Sequence, residues 1–99
     1  MSLDTSDPLF HRFTLEFSQE LFFEAHETME QLWIKKGRHK GDPYQGLVQL
    51  AVAREHLKRG NLEGARRVYV KAHQKLEDIS TTAWDLRFHL AESARRILT

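Results

Sequence analysis

The chain has 99 residues, 40% of them apolar, and a formal net charge of +1, which is material for one modest core and for no second independent domain. It contains no cysteine, which excludes disulfides, thiolate nucleophiles and cysteine-built zinc sites and leaves any metal to His, carboxylates or amide oxygens. No stretch approaches the roughly eighteen apolar residues of a membrane span, and the acidic 1–7 segment lacks the basic start and apolar run of a signal peptide, so a cytoplasmic location without a membrane partner is expected.

Apolar residues recur at helical spacing and the Gly, Pro and Asn breakers fall between the helical stretches, so the expected fold is all-α. Asp7-Pro8 opens a short leading helix, with Pro at its first position, that fades near Phe17. Ser18 is then the expected N-cap of the first of four main helices, over 19–36. Gly37 and Gly41-Asp42-Pro43 bracket a basic loop, after which Asp42 caps a helix over 43–59 that Pro43 begins. Gly60-Asn61 reads as a tight turn, with Gly stopping one helix in the left-handed conformation and Asn61 capping the next, over 62–79. Ser80-Thr81-Thr82 offers caps for a last helix over 82–97.

Such short connections place sequential helices side by side and antiparallel. Ala25, Met29 and Leu32 are echoed forty residues on by Ala65, Tyr69 and Ala72. The expected architecture is therefore two stacked helical hairpins, packed as in tetratricopeptide proteins but without that repeat's consensus.

At about 100° per residue, Phe22, Phe23, Ala25, Met29 and Trp33 share one arc of the first long helix, with Glu20, Glu24, Thr28, Gln31 and Lys35 opposite. His26 and Glu30 fall inside that apolar arc, one turn apart. A carboxylate buried there needs a partner or a raised pKa to be tolerable. The next helix repeats the oddity: Gln45, Gln49 and His56 share a stripe with Val52 and Ala53, while Arg54 and Lys58 are expected to point away. Gly46 and Ala53 would let the two helices approach closely. Antiparallel packing then brings His26 toward His56, and Glu30 toward Gln49 and Val52. The helix over 62–79 shows no such intrusion, burying Ala65, Val68, Tyr69, Ala72, Leu76 and Ile79 with His73 only at the margin. The last helix is expected to bury Ala83, Leu86, Leu90, Ala94 and Ile97.

The string Phe23-Glu24-Ala25-His26-Glu27, running on through Glu30 to Trp33, is followed by Gln45-Gly46-Leu47-Val48-Gln49-Leu50-Ala51-Val52-Ala53, by His56, by Gly60-Asn61 and by Gly64-Ala65. Over about residues 17–78 this resembles the family of small prokaryotic and plastid proteins called domain of unknown function 309. The resemblance implies an all-helical fold and a cluster at His26, Glu27, Glu30, Gln45, Gln49 and His56, beside which Trp33 is a further pocket candidate. It brings no established activity.

Three functional classes remain. The first is a binding or scaffold module with a polar His/Glu/Gln pocket between the first two long helices, for which a buried hydrogen-bond network is the plainest use of the cluster. The second is a small metal-dependent or acid–base enzyme in which His26, Glu30 and His56 hold a divalent ion or move protons. No cofactor is otherwise called for. Against it, Glu30 stands where the zinc-protease motif has its second histidine, no histidine follows a glutamate by three residues, and no nucleophile or oxyanion loop is evident. The third is an RNA or phosphate-ligand binder using Lys35, Lys36, Arg38 and Lys40, with Arg59, Arg66 and Arg67 flanking the next turn. No recognition motif accompanies that patch, and the acidic run from Glu16 to Glu30 would equally make it one of two mutually attracting solvated faces. A peptide in a hairpin groove, and a homodimer through exposed residues such as Val70, complete the expected partners.

Overall fold

Asp or Asn starts four helices of the protein by accepting a hydrogen bond from the first turn, the cheapest way to satisfy an N–H group that has no partner inside the helix. The computed structural model describes residues 3–79, 81 and 83–99. They form α1 (Pro8–Ser18), α2 (Phe22–Lys35), α3 (Pro43–Lys58), α4 (Leu62–Leu76) and α5 (Leu86–Ile97), with no strand among the described residues. Asp7 receives the N–H of Leu9, Asp42 that of Gln45, Asn61 that of Gly64 and Asp85 that of Phe88.

The starts marked by Asp7-Pro8, Asp42-Pro43 and Asn61 fall where the sequence puts them. Two others do not. Ser18 stays inside α1 and its Oγ donates back to the Leu15 carbonyl. The chain then turns through Glu20 at φ 61°, and α2 begins only at Phe22, behind a Leu21 that offers no side-chain cap. Similarly α5 starts at Leu86 rather than near 82, because Asp85 supplies the cap. Ser80 and Thr82 lie outside the described residues, and Ala83, expected in the core, is exposed ahead of the helix.

Consecutive helices run antiparallel. Lys35 at the end of α2 meets Asp7 at the start of α1, Lys58 at the end of α3 meets Glu20 ahead of α2, and Gly46 at the start of α3 faces Leu76 at the end of α4. The interface of α3 with α4 is the most extensive, followed by α2 with α3 and α1 with α2, while α5 touches α4 and α3 more lightly. The leading helix is thus a full partner: α1–α2 and α3–α4 are the two hairpins, and α5 lies across them. Phe10, Phe13 and Phe17 of α1 are buried, and Trp84 closes over them, meeting Phe13 and Phe17 edge-on at 5.4 and 5.3 Å.

Because α3 touches α2, α4 and α5, it is buried on most sides, and a helix so placed has little solvent face to give its polar residues. Three expectations fail for this reason or its counterpart on α2. Arg54 is buried instead of pointing away, under α5. Gly46 serves the contact with α4 and not with α2. Thr28, placed opposite the apolar arc, is buried because α1 covers that side of α2, and its Oγ1 donates to Glu16 Oε1 at 2.6 Å. Among the described residues no helix is long and apolar enough to cross a membrane.

Candidate binding pocket

The antiparallel seam of α2 and α3 sets the first turns of α2 beside the last turns of α3. Lys58 Nζ donates to the Glu20 carbonyl at 2.7 Å, and its ammonium lies 6.0 Å from the Phe22 ring centroid. Just along this seam a pocket of about 170 Å³ opens between Phe23, His26, Val52, Glu55, His56 and Arg59. Val52 forms part of its wall, half-buried between the two histidines' helices. Phe23 is 46% exposed despite its place in the apolar arc, and its ring meets His26 edge-on at 5.7 Å. Across the pocket the His56 Nδ1 lies 3.3 Å from Asn61 Nδ2, which orients the imidazole and fixes Nδ1 as the acceptor of that amide N–H. Glu55 in the last turn of α3 and Arg59 just past its end pair at 3.4 Å on the pocket's edge.

His26 and His56 therefore share one cavity. Glu30 and Gln49 are half-buried farther toward the 37–42 loop and do not line it. Gln49 Oε1 is buried without a hydrogen-bond donor. Gln45 folds back over the start of α3, where its Oε1 accepts from the Gly41 N–H at 2.6 Å. Trp33 Nε1 donates to the His39 carbonyl at 3.0 Å, and Arg38 lies over its ring at 5.4 Å. Gln45 and Trp33 thus hold the loop rather than the pocket. Glu27 is exposed. Among the described residues no three His, Asp or Glu side chains are grouped to hold a metal ion, so His26, Glu30 and His56 are not gathered about one point.

Phe23, Glu55 and Arg59 are the pocket residues that the sequence reading passed over. Phe23 was visible as an aromatic at the margin of an arc already carrying Phe22, and Glu55–Arg59 as an i,i+4 pair. Nothing in the spacing tells such a pair from an ordinary surface one.

Two of the four residues of the basic patch are paired. Lys35 Nζ meets Asp7 Oδ2 and Lys36 Nζ meets Asp4 Oδ2, each at 2.8 Å. The Lys36 ammonium and the hydroxyl and N–H of Ser6 hold the Asp4 carboxyl at a pKa of about 2, and the Lys35 ammonium with the Leu9 N–H lowers that of Asp7. Lys40 and Arg38 are exposed. Val70 is exposed on α4 and shares a groove with Leu98.

No curated protein and no solved structure matches the chain. A family model does, over residues 10–68, a span that holds every residue of the pocket and both helices that build it, and by that match the chain belongs to the family described as domain of unknown function (DUF309).

Proposed function

We propose that the protein is a small binding module whose α2–α3 pocket takes one side chain or a group of that size, with an apolar body and a hydrogen-bonding edge. The observation that carries this reading is the convergence of His26 and His56, from separate helices, on one open cavity with the half-exposed Phe23 at its mouth. A pocket of about 170 Å³ falls below the roughly 300 Å³ at which drug-sized ligand sites begin, which disfavours a nucleotide or an extended substrate. His56, its Nδ1 engaged as an acceptor by Asn61, presents an Nε2–H donor, while the His26 ring donates or accepts according to tautomer. Enzyme and RNA readings have less behind them. The pocket has no Ser, Thr, Lys or Tyr to act as a nucleophile beside the histidines, and two lysines of the 35–40 loop already have carboxylate partners.

The test is a titration of isotope-labelled protein with small heterocycles such as indole and imidazole, read at the Val52 methyls and the ring protons of His26 and His56. Saturable shifts confined to these groups are expected, and a Val52→Phe variant, which fills the cavity, should lose them while keeping the amide spectrum of the folded chain. Shifts that do not saturate, or that survive Val52→Phe unchanged, would overturn the reading.

A further inference from the structure

α5 leaves a second cleft, of about 200 Å³, where it faces the turn between α1 and α2. Its walls are rings: Phe17, Phe22 and Phe88, the last 56% exposed. Its polar centre is Arg54, which is only 7% exposed. Arg54 Nη1 donates to the Ser93 hydroxyl at 3.2 Å and Nε is buried with no acceptor. No carboxylate pairs with it among the described residues. The guanidinium lies 4.8 Å from the Phe22 ring centroid and 5.8 Å from that of Phe17, contacts that offset part of its lost hydration but give its Nε–H no acceptor. Burial, and after it the charge of Arg96, pull its pKa below the ordinary arginine value, though a guanidinium remains a cation. Buried charges in folded proteins are normally paired. This one lacks only the anion.

The surrounding charges choose which anion. Glu92 is held by Arg95 at 2.6 Å and Arg96 at 2.8 Å, which keeps its pKa near 2 and its charge permanent. Glu20 adds a second negative charge at the cleft. His89, stacked on Trp84 at 4.4 Å, is pushed by burial toward its neutral form, so the cations lining the cleft are Arg54 and Arg96, and Arg96 is already engaged by Glu92. With Arg96 taken up by Glu92, the one cation open to a ligand pairs one negative charge, and the second charge of a dianion such as phosphate would stand unpaired beside Glu20 and Glu92, whereas a singly charged carboxylate leaves none unpaired. Size agrees, since a cavity of roughly 150 Å³ accommodates a benzene ring.

We propose that this cleft binds a small monoanionic carboxylate with an aromatic or branched apolar body, the carboxylate pairing with Arg54 and the body lying among Phe17, Phe22 and Phe88. The site is separate from the His26–His56 pocket and does not depend on it.

Benzoate is the probe and benzamide, of the same shape but neutral, its control. In the wild-type chain, benzoate should shift the Arg54 Nε–H resonance saturably and benzamide should not. At ten times its Kd, benzoate should raise the folding equilibrium constant about elevenfold. Arg54→Met should abolish this while remaining folded, since a packed apolar chain replaces a buried charge at little cost. Glu20→Gln should tighten binding by removing the rival negative charge. Equal effects of benzoate and benzamide, or no shift at Arg54 up to about 20 mM, well above the Kd of a weak fragment, would overturn the proposal. If Arg54→Met does not fold, the wild-type resonance decides alone.

Discussion

Gly46 shows how much one missing methyl decides at the closest approach of α3 and α4. A Cβ built on it would stand 2.8 Å from Leu76 Cγ and 2.9 Å from Lys75 Cβ. Neither atom is the free end of a flexible chain, so relief requires the helices to part. Gly46→Ala would gain about 1 kcal/mol of helix propensity against an overpacking cost of roughly 1–3 kcal/mol. A net loss of about 1 kcal/mol is expected, read as a lower urea midpoint at unchanged slope; a stabilised Gly46→Ala would mean that the α3–α4 seam yields. The sequence marks Gly46 as a close-approach residue but not its partner helix, because helical spacing gives a residue's angle and not which neighbour lies there. The same blindness hid Arg54 and Thr28. His26 and His56 were legible because both lie on the one seam, α2 with α3, that the reading had identified.

At the scale of the element, α3 is the best specified helix because three residues conspire at its start. Asp42 Oδ1 accepts from Gln45 N at 2.9 Å and Gln45 Oε1 accepts from Gly41 N at 2.6 Å, a reciprocal arrangement of the capping-box kind in which the side chain reaches one residue farther back. Pro43 needs no such partner, since it has no N–H to satisfy. Asp42→Ala should cost about 1 kcal/mol and Asp42→Ser a few tenths. Gln45→Ala should be destabilising on its own and less than additive with Asp42→Ala, because the two side chains complete one motif. Full additivity in a double-mutant cycle would show that they act separately. Gln45 shares the stripe of Gln49 and His56, as its angle on the helix requires, but at the first turn a polar side chain has backbone donors within reach that outcompete the interior, and its Oε1 turns to the Gly41 N–H. The starts of α2 and α5 depart from the expected ones for a related reason. Ser and Thr promise a cap wherever they occur, and only the path of the turn through Glu20, or the presence of Asp85, decides which residue does the capping.

For the molecule as a whole, α5 is the element whose place the sequence left open. Its helical period was plain, yet it settles across the two hairpins through a few polar attachments: Tyr69 Oη to the Leu90 carbonyl at 3.0 Å, Arg54 to Ser93, and Arg66 Nε to the Ile97 carbonyl at 3.2 Å. None of these is encoded by a periodicity. A separate contact, through His89, makes closure of the core dependent on pH. His89, on α5, stacks on Trp84 and touches Phe17 at 5.2 Å; burial, and then the charge of Arg54, lower its pKa below 6.5, while Asp85 and Glu92 oppose the shift. The unfolded chain therefore takes up this proton at a higher pH than the folded one, and stability falls as pH drops below about 6.5, until the folded pKa is passed. A second loss follows at lower pH, where Asp4, Asp7 and Glu92, all with lowered values, are ionised in the folded chain while their unfolded counterparts protonate near pH 4. The urea midpoint should thus decline in two stages, first as pH falls below about 6.5 and again below about pH 4. His89→Phe, which keeps the stack on Trp84 and has nothing to protonate, should remove the first stage and leave the second. A wild-type midpoint that stays level across the first interval, or a decline there that His89→Phe does not reduce, would show that α5 holds its place independently of this imidazole.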